Sequence, residues 1–338
     1  MRPDKPCRTS PAIRSRRSCL IVVAGEALID LFVGAATGAV LPAQAIAGGS
    51  PFNVAVGVAR LGVETGYLGG LSQDALGDFL SRRLLAEDVD LSLVKRSARP
   101  TPVVVVTTDA DGQPSYTFHA HDCADRDLQL SDVPPLLDPR VRALAFGSFA
   151  LAVEPIGSTL LALAEREAAR LLVSIDLNLR ASVVGDLERW RQRIERFART
   201  AAIIKLSRED LLDAYGPEAE AGVLAAQWLE GGALLVIVTD GAAGATAYSA
   251  RHAMHRPSRR VVIADTVGAG DTFHAAFLGR LAQTGRLSRV GVAALDETGL
   301  RDLLDYATVA ASVTCTRRGA DLPTRAEVDA VFEFGITA

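Results

Sequence analysis

No glycine is followed by lysine anywhere in the 338 residues, so the phosphate-cradling GxxxxGK[ST] loop is absent. No GxGxxG follows the first apolar run, which removes the dinucleotide fingerprint from its usual place. Neither HExxH nor GxSxG occurs, which excludes the helical zinc site and the serine-nucleophile elbow. The four cysteines, Cys7, Cys19, Cys123 and Cys315, show neither CxxC spacing nor a companion histidine pattern for zinc; they read as reduced thiols, which fits a cytoplasmic location. A strong excess of one charge is missing too. Thirty-six basic against 40 acidic side chains leave a formal net charge of −4, which favours neither nucleic acid nor an anionic membrane surface. The basic start, with Arg8, Arg14, Arg16 and Arg17 ahead of CysLeuIleValValAlaGly, imitates an export signal. Glu26 and Asp30 interrupt that apolar stretch, and no small-residue cleavage site follows. Residues 1 to about 18 are therefore expected to be a disordered extension or an overlong start, and no transmembrane span is expected.

What the chain does have is 49% hydrophobic against 22% charged residues, enough for a soluble globular protein with a substantial core. Leu20 to Ala24, Gly66 to Gly69, Ala143 to Phe146, Leu171 to Ile175, Ala202 to Ile204 and Leu234 to Val238 read as strands. Phe52 to Leu61, Ala75 to Glu87, Ile156 to Arg170, Leu187 to Arg199 and Ala219 to Glu230 read as helices. Near-continuous apolar strands alternating with helices predict an α/β fold, a mostly parallel central sheet with helices on both faces. Two β-like segments, about 31–46 and 101–121, break the alternation. The second reads as a hairpin with its turn at AspAlaAspGlyGln. Lacking crossover helices, the two are expected to pair as a small projecting sheet, with His119 and His121 on its surface.

The stretch richest in chemistry is ValIleAlaAspThrValGlyAlaGlyAspThrPheHisAlaAlaPhe, Val262 to Phe277. It predicts an apolar strand ending at Asp265, a tight turn at Gly268 and Gly270, and a helix from about Asp271 with Phe273, Ala276, Phe277 and Leu281 on its buried stripe. Turn amides at Gly268, Ala269 and Gly270, with a helix dipole behind them, favour an anion. Asp271 sets a carboxylate beside it that can take a proton. Fixed donors next to a proton acceptor suit phosphoryl transfer to a hydroxyl. The bare tetrapeptide GlyAlaGlyAsp serves equally well as a strand-to-helix turn with a capping acid.

Other polar groups fall just beyond the apolar runs, where ligands of open α/β sheets bind. Asp30 follows the first strand; a carboxylate can accept from two adjacent hydroxyls, as polyol recognition requires, and taken alone the residue reads as a solvated turn residue. In GlyGlySerProPheAsn, Gly48 to Asn53, glycines allow close approach of a ligand, Ser50 reads as an N-cap with Pro51 first in the helix, and Asn53 offers donor and acceptor. Asp176, Asn178 and Arg180 share one side if AspLeuAsnLeuArg stays extended; an ion pair at the sheet edge accounts for them as well. Ser207 and Asp210 have capping-box spacing. Val236 to Gly244, with Thr239 and Gly241, reads as strand, glycine turn and strand.

AspThrValGlyAlaGlyAspThrPhe, together with the earlier GlyGlySerProPheAsnValAlaValGlyValAlaArgLeuGly and GlyGlyLeuSerGlnAspAlaLeuGlyAsp, resembles the paired signatures of the PfkB-type (ribokinase-like) carbohydrate kinases. The resemblance covers roughly Leu20 to Thr324. It implies one ribokinase-like kinase domain over 19–335, with the small sheet as a β-lid over the sugar. It implies Asp271 as base and Gly268, Ala269 and Gly270 as anion hole, with Asp30, Gly49, Asn53, Phe118, Asn178 and Arg180 at the sugar. Ser207, Thr239, Gly241 and Gly244 would face the nucleotide. Asp210, with Glu209, would hold magnesium through water where the family carries AsnXaaXaaGlu. ATP and Mg2+ are the implied cofactors, and the segment at Gly319–Ala320 leaves K+ open. GlyGluAlaLeuIleAsp, AspXaaAsnXaaArg and LysLeuSer are similar to the fructokinase branch, although Leu177 stands where that branch has proline. The expected reaction is transfer of the γ-phosphoryl group to a primary hydroxyl of D-fructose. A 2-keto-3-deoxygluconate kinase is the alternative enzyme, and a non-catalytic sugar- or nucleotide-binding regulator the alternative of another class. A homodimer through the lid is expected, with no nucleic-acid or membrane partner.

Overall fold

Leu20, Val22 and Ala24 of the first strand pack into one apolar cluster and Ile21 and Val23 into another, so the sheet they belong to is buried on both faces. The computed structural model describes residues 19–108 and 114–334. The expected extension at 1–18 and the hairpin turn at 109–113 lie outside the described residues. In chain order the strands are β1 (Leu20–Ala24), β2 (Leu28–Val33), β3 (Ala43–Gly48), β4 (Glu64–Ser72), β5 (Val94–Ser97), β6 (Val103–Thr108), β7 (Pro114–His119), β8 (Val141–Gly147), β9 (Leu172–Asp176), β10 (Ile203–Ser207), β11 (Leu235–Asp240), β12 (Gly244–Tyr248) and β13 (Ala253–Arg256). The main sheet has the order β13-β12-β11-β10-β9-β8-β1-β4-β5. It is parallel from β11 through β5, with β12 and β13 added antiparallel at one edge. The helices Ile156–Glu167, Leu187–Ala198, Arg208–Tyr215 and Ala221–Glu230 cover one face. Ser50–Arg60, Ala75–Ala86, Ala269–Gln283 and Glu297–Cys315 cover the other.

The strands and helices expected from periodicity are present, with ends shifted by a few residues. The sheet edges are what periodicity did not reveal: β5 is ValLysArgSer and β13 AlaMetHisArg, too short and polar to alternate. The two segments that broke the alternation do form a separate sheet, in the order β3-β2-β6-β7. Its two hairpins join through a parallel β2–β6 pair. Asp30, Val104 and Phe118 lie opposite one another across three strands and so share a face. Val104 and Val106 on that face are buried against the main core.

The strand expected to end at Asp265 is not formed. Val262 and Ile263 are exposed, and the amides of Ala264 and Asp265 bond instead to the carbonyl of Cys315 at the end of the Glu297–Cys315 helix. An apolar run became a loop because its backbone found a helix terminus rather than a strand. The helix after it starts at Ala269, two residues earlier than expected, on Gly268 with φ +78°. From Asp271 to Leu281 only Arg280 escapes burial, because the helix is packed between Ser50–Arg60 and Glu297–Cys315. Among the described residues no helix is long and apolar enough to cross a membrane.

Candidate active site

The carboxyl ends of the parallel strands converge on the start of the Ala269–Gln283 helix. Asp271, 8% exposed, sits in its first turn. Its Oδ1 accepts from the Ser50 hydroxyl at 2.6 Å and its Oδ2 from the Asn53 amide at 2.8 Å. Burial raises the Asp271 carboxyl above its ordinary range, and the two hydrogen bonds and the charges of Lys205 and Arg180 pull it back. Ser50 is therefore not the N-cap expected from sequence. Gly49, with φ +102°, caps the Ser50–Arg60 helix without any side-chain bond, and Pro51 is the second helical residue rather than the first. Both polar side chains of that first turn are spent on Asp271.

Helix geometry leaves the Gly268, Ala269, Gly270 and Asp271 amides without intrahelical acceptors. Ala269 N–H donates to the Thr266 carbonyl, so an anion at the turn is left to Gly268, Gly270 and Asp271. Asp265 braces the turn from below: its Oδ1 accepts from Val267 N–H at 3.0 Å and its Oδ2 from Gly319 N–H at 2.8 Å. A Cβ at Gly268 would stand 2.7 Å from that of Ala320, so the turn and the 319–320 segment are in contact.

Toward the small sheet, Asp30 is half-buried on β2. Burial and the neighbouring Asp271 charge push it up to about 6, and Arg180 opposes them. A Cβ on Gly48 would fall 2.2 Å from Asp30 Oδ2, and one on Gly49 2.7 Å from the Glu26 carbonyl, so glycine at both positions is what lets this corner close. Phe118 meets Phe149 edge-on, with ring centroids 6.2 Å apart. Its neighbour on the same face, Tyr116, lies within reach of the Asp30 and Arg180 charges. His119 and His121 are exposed, as expected.

AspLeuAsnLeuArg does not stay extended. Asn178 takes φ +35°, so Asp176 points into the protein, Asn178 is half-buried and Arg180 is exposed, its charge still bearing on Asp30 and Asp271. The capping box is present: Ser207 Oγ accepts from Asp210 N–H and Asp210 Oδ2 from Ser207 N–H. Asp210 Oδ1 accepts from Leu179 N–H at 2.8 Å, which ties the Asn178 turn to this helix. With both oxygens so engaged, Asp210 is a poor direct ligand, and Glu209 beside it is exposed. Among the described residues no group of three or more histidine, cysteine, aspartate or glutamate side chains could hold a metal. The donor set fits a cation reached through water better than one ligated directly by Asp210. Thr239, one residue before the end of β11, is half-buried, Gly241 is open on its Cβ side, and Gly244, with φ +106°, is pressed against the Arg256 carbonyl.

Sequence reasoning missed several members of this region. Glu26 is 1% exposed, and burial pushes it up to about 8. Lys205 and His274 lie in the core beneath the turn. Each was hidden inside an apolar stretch or beside a louder motif. A cavity of about 480 Å³, lined by Glu87, Asp88, Asp90 and Arg140 among others, lies at the opposite end of the sheet and contains none of the constellation.

Residues 20–327 match the family model described as pfkB family carbohydrate kinase. A fructokinase from Rhizobium leguminosarum bv. trifolii is 39% identical over 283 residues, 84% of this chain and 86% of that protein. The crystal structure of a fructokinase with bound ATP from Xylella fastidiosa aligns with a TM-score of 0.86 at 27% identity, covering 93% of this chain and 98% of that one. A fructokinase from Vibrio cholerae O395, in its fructose, ADP and calcium ion bound form, aligns with a TM-score of 0.78 at 27% identity, covering 94% and 100%.

Proposed function

This chain belongs to the pfkB family of carbohydrate kinases, as a phosphotransferase acting on a sugar hydroxyl, and from that premise we propose that it phosphorylates D-fructose from ATP. The observation that carries the mechanism is Asp271, held by Ser50 and Asn53 at the mouth of a helix whose first amides lack intrahelical acceptors. A primary hydroxyl oxygen bonds to the γ-phosphorus as that atom's bond to the ADP oxygen breaks. The hydroxyl proton goes to Asp271, and ADP leaves with the electron pair. The Gly268, Gly270 and Asp271 amides face the charge on the transferred group. Asp30, Asn53 and Gly49 form the polar wall for the sugar, closed by Phe118 with Asn178 and Arg180. Ser207, Thr239, Gly241 and Gly244 flank the nucleotide. Magnesium, bound with the nucleotide, would supply positive charge to its phosphates, and Glu209 and Asp210 would hold it through water. K+ beside the Asp265–Gly319 loop belongs to the same reading. Relatives named for fructose, and solved with ATP or with fructose and ADP, support the assignment.

A neutral sugar suits this pocket better than a sugar acid. Asp30 and Asp271 both bear on the space a substrate must enter, against the exposed Arg180. We expect kcat/KM for fructose to exceed that for 2-keto-3-deoxygluconate by at least about tenfold, or ~1.4 kcal/mol. Side-by-side kinetics at neutral pH test this, and a preference for the acid would point to Arg180 as its carboxylate partner.

The small sheet also supports assembly into a homodimer. Its face away from Asp30 carries Leu31 and Val105, half-buried, with Ala45 and Thr117 exposed opposite them. A second copy would cover that face and its edges. Light scattering at micromolar concentration is expected to give twice the chain mass; a monomer of full activity would defeat the assignment.

A further inference from the structure

The chain has only three lysines, Lys5, Lys95 and Lys205. Lys205 lies on β10 directly alongside Asp176 on β9, and its Nζ is 2.6 Å from Asp176 Oδ2. The two side chains are 4% and 2% exposed. Such a pair recovers its desolvation cost only with good geometry, and an apolar pair of the same volume is often as stable. Its placement is therefore informative. A Cβ at Gly270 would stand 3.6 Å from Lys205 Nζ, so the ammonium lies against the second residue of the catalytic helix. Its charge bears on Asp271 as well. His274, one turn further along, packs behind the pair, with Nε2 2.8 Å from Ser174 Oγ and Nδ1 3.9 Å from Asp176 Oδ2. Burial and the Lys205 charge hold His274 down to about 3, so it adds no second positive charge at neutral pH.

We infer that Lys205 is a positioning residue for phosphoryl transfer: its buried ammonium, fixed by Asp176, makes the GlyAlaGlyAsp turn favourable to negative charge on both the transferred group and Asp271. Arg180 also acts on Asp271, but from the solvent-exposed side, where water and salt screen it. Lys205 works where screening is weakest. The inference rests on the family's phosphotransfer chemistry and not on the identity of the sugar.

The test uses Lys205→Met and the double variant Asp176→Asn/Lys205→Met, each checked for folding by circular dichroism and thermal unfolding. Turnover is measured with whichever sugar of a panel the parent phosphorylates fastest. A parent that takes another sugar and ignores fructose refutes the substrate assignment and leaves this test intact. We expect Lys205→Met to lower kcat by about 10²-fold or more, the scale of losing one preorganised electrostatic partner, with KM for the sugar within about threefold of the parent's. The acid limb of the kcat/KM profile should move to higher pH, because Asp271 loses a cation that favours its ionised form; the facing groups Asp30, Asp176, Arg180 and His274 are all retained in the single variant. In the double variant the Asp176 carboxylate is removed together with its Lys205 partner, so stability should recover while turnover stays low. If the single variant does not fold, the double variant decides. Turnover of the double variant within about threefold of the parent overturns the inference, as does an acid limb of Lys205→Met superimposable on the parent's.

Discussion

Replacing Asp271 by asparagine is expected to lower turnover by about two to four orders of magnitude, the usual contribution of a positioned base. The amide keeps the shape of the carboxylate and can still meet Ser50 and Asn53, but it cannot take the hydroxyl proton. Sugar and nucleotide affinities should stay close to the parent's, because the surrounding first turn is unchanged. Saturation kinetics together with calorimetric titration of each ligand separate the two effects. A kcat within about threefold of the parent would remove Asp271 from the base role.

Gly268→Ala should act on the same step from the other side. The residue has φ +78°, where an L side chain is strained, and its Cβ would come within 2.7 Å of Ala320 Cβ and 2.9 Å of Ala320 Cα. Backbone cannot rotate aside, so the turn must open and its amides must move. A displacement of about 1 Å in a catalytic constellation costs on the order of 10²-fold, and we expect a kcat loss of that size. The strain should also destabilise the protein by about 1–3 kcal/mol. Gly285→Ala is the control: φ is +69° there too, but nothing lies within 4 Å of the added Cβ. It should cost stability and spare turnover. If both variants lose activity equally, the loss follows stability and not the shape of the turn.

The helix through Asp271, though not its start at Ala269, and the capping box at Ser207 were legible because each is written in a few consecutive residues. The small sheet was legible from two β-like segments without crossover helices, though not its parallel β2–β6 seam, which joins residues far apart in the chain. What holds Asp271 was not legible. Ser50 and Asn53 lie 221 and 218 residues away, and spacing carries no information at that range. Ser50 read as an ordinary cap because Ser followed by Pro is the local signal for one. The Lys205–Asp176 pair could have been found by aligning the ends of neighbouring apolar runs, since β9 and β10 are parallel and the two residues are register partners. Asn178 misled for a physical reason: alternation assumes an extended chain, and one residue at positive φ reverses every side after it.

A single glycine separates β3 from the helix that holds Asp271. Gly48 ends the edge strand, Gly49 turns the chain, and Ser50 already touches Asp271. Mechanically the small sheet and the Ser50 hydroxyl that holds Asp271 are neighbouring links of one chain, with a single joint between them. That joint cannot be stiffened by a side chain, because the Glu26 carbonyl occupies the room a Cβ would need. Tension on the edge of the small sheet therefore has a short path to Asp271, and its compliance is set by the torsions of one residue.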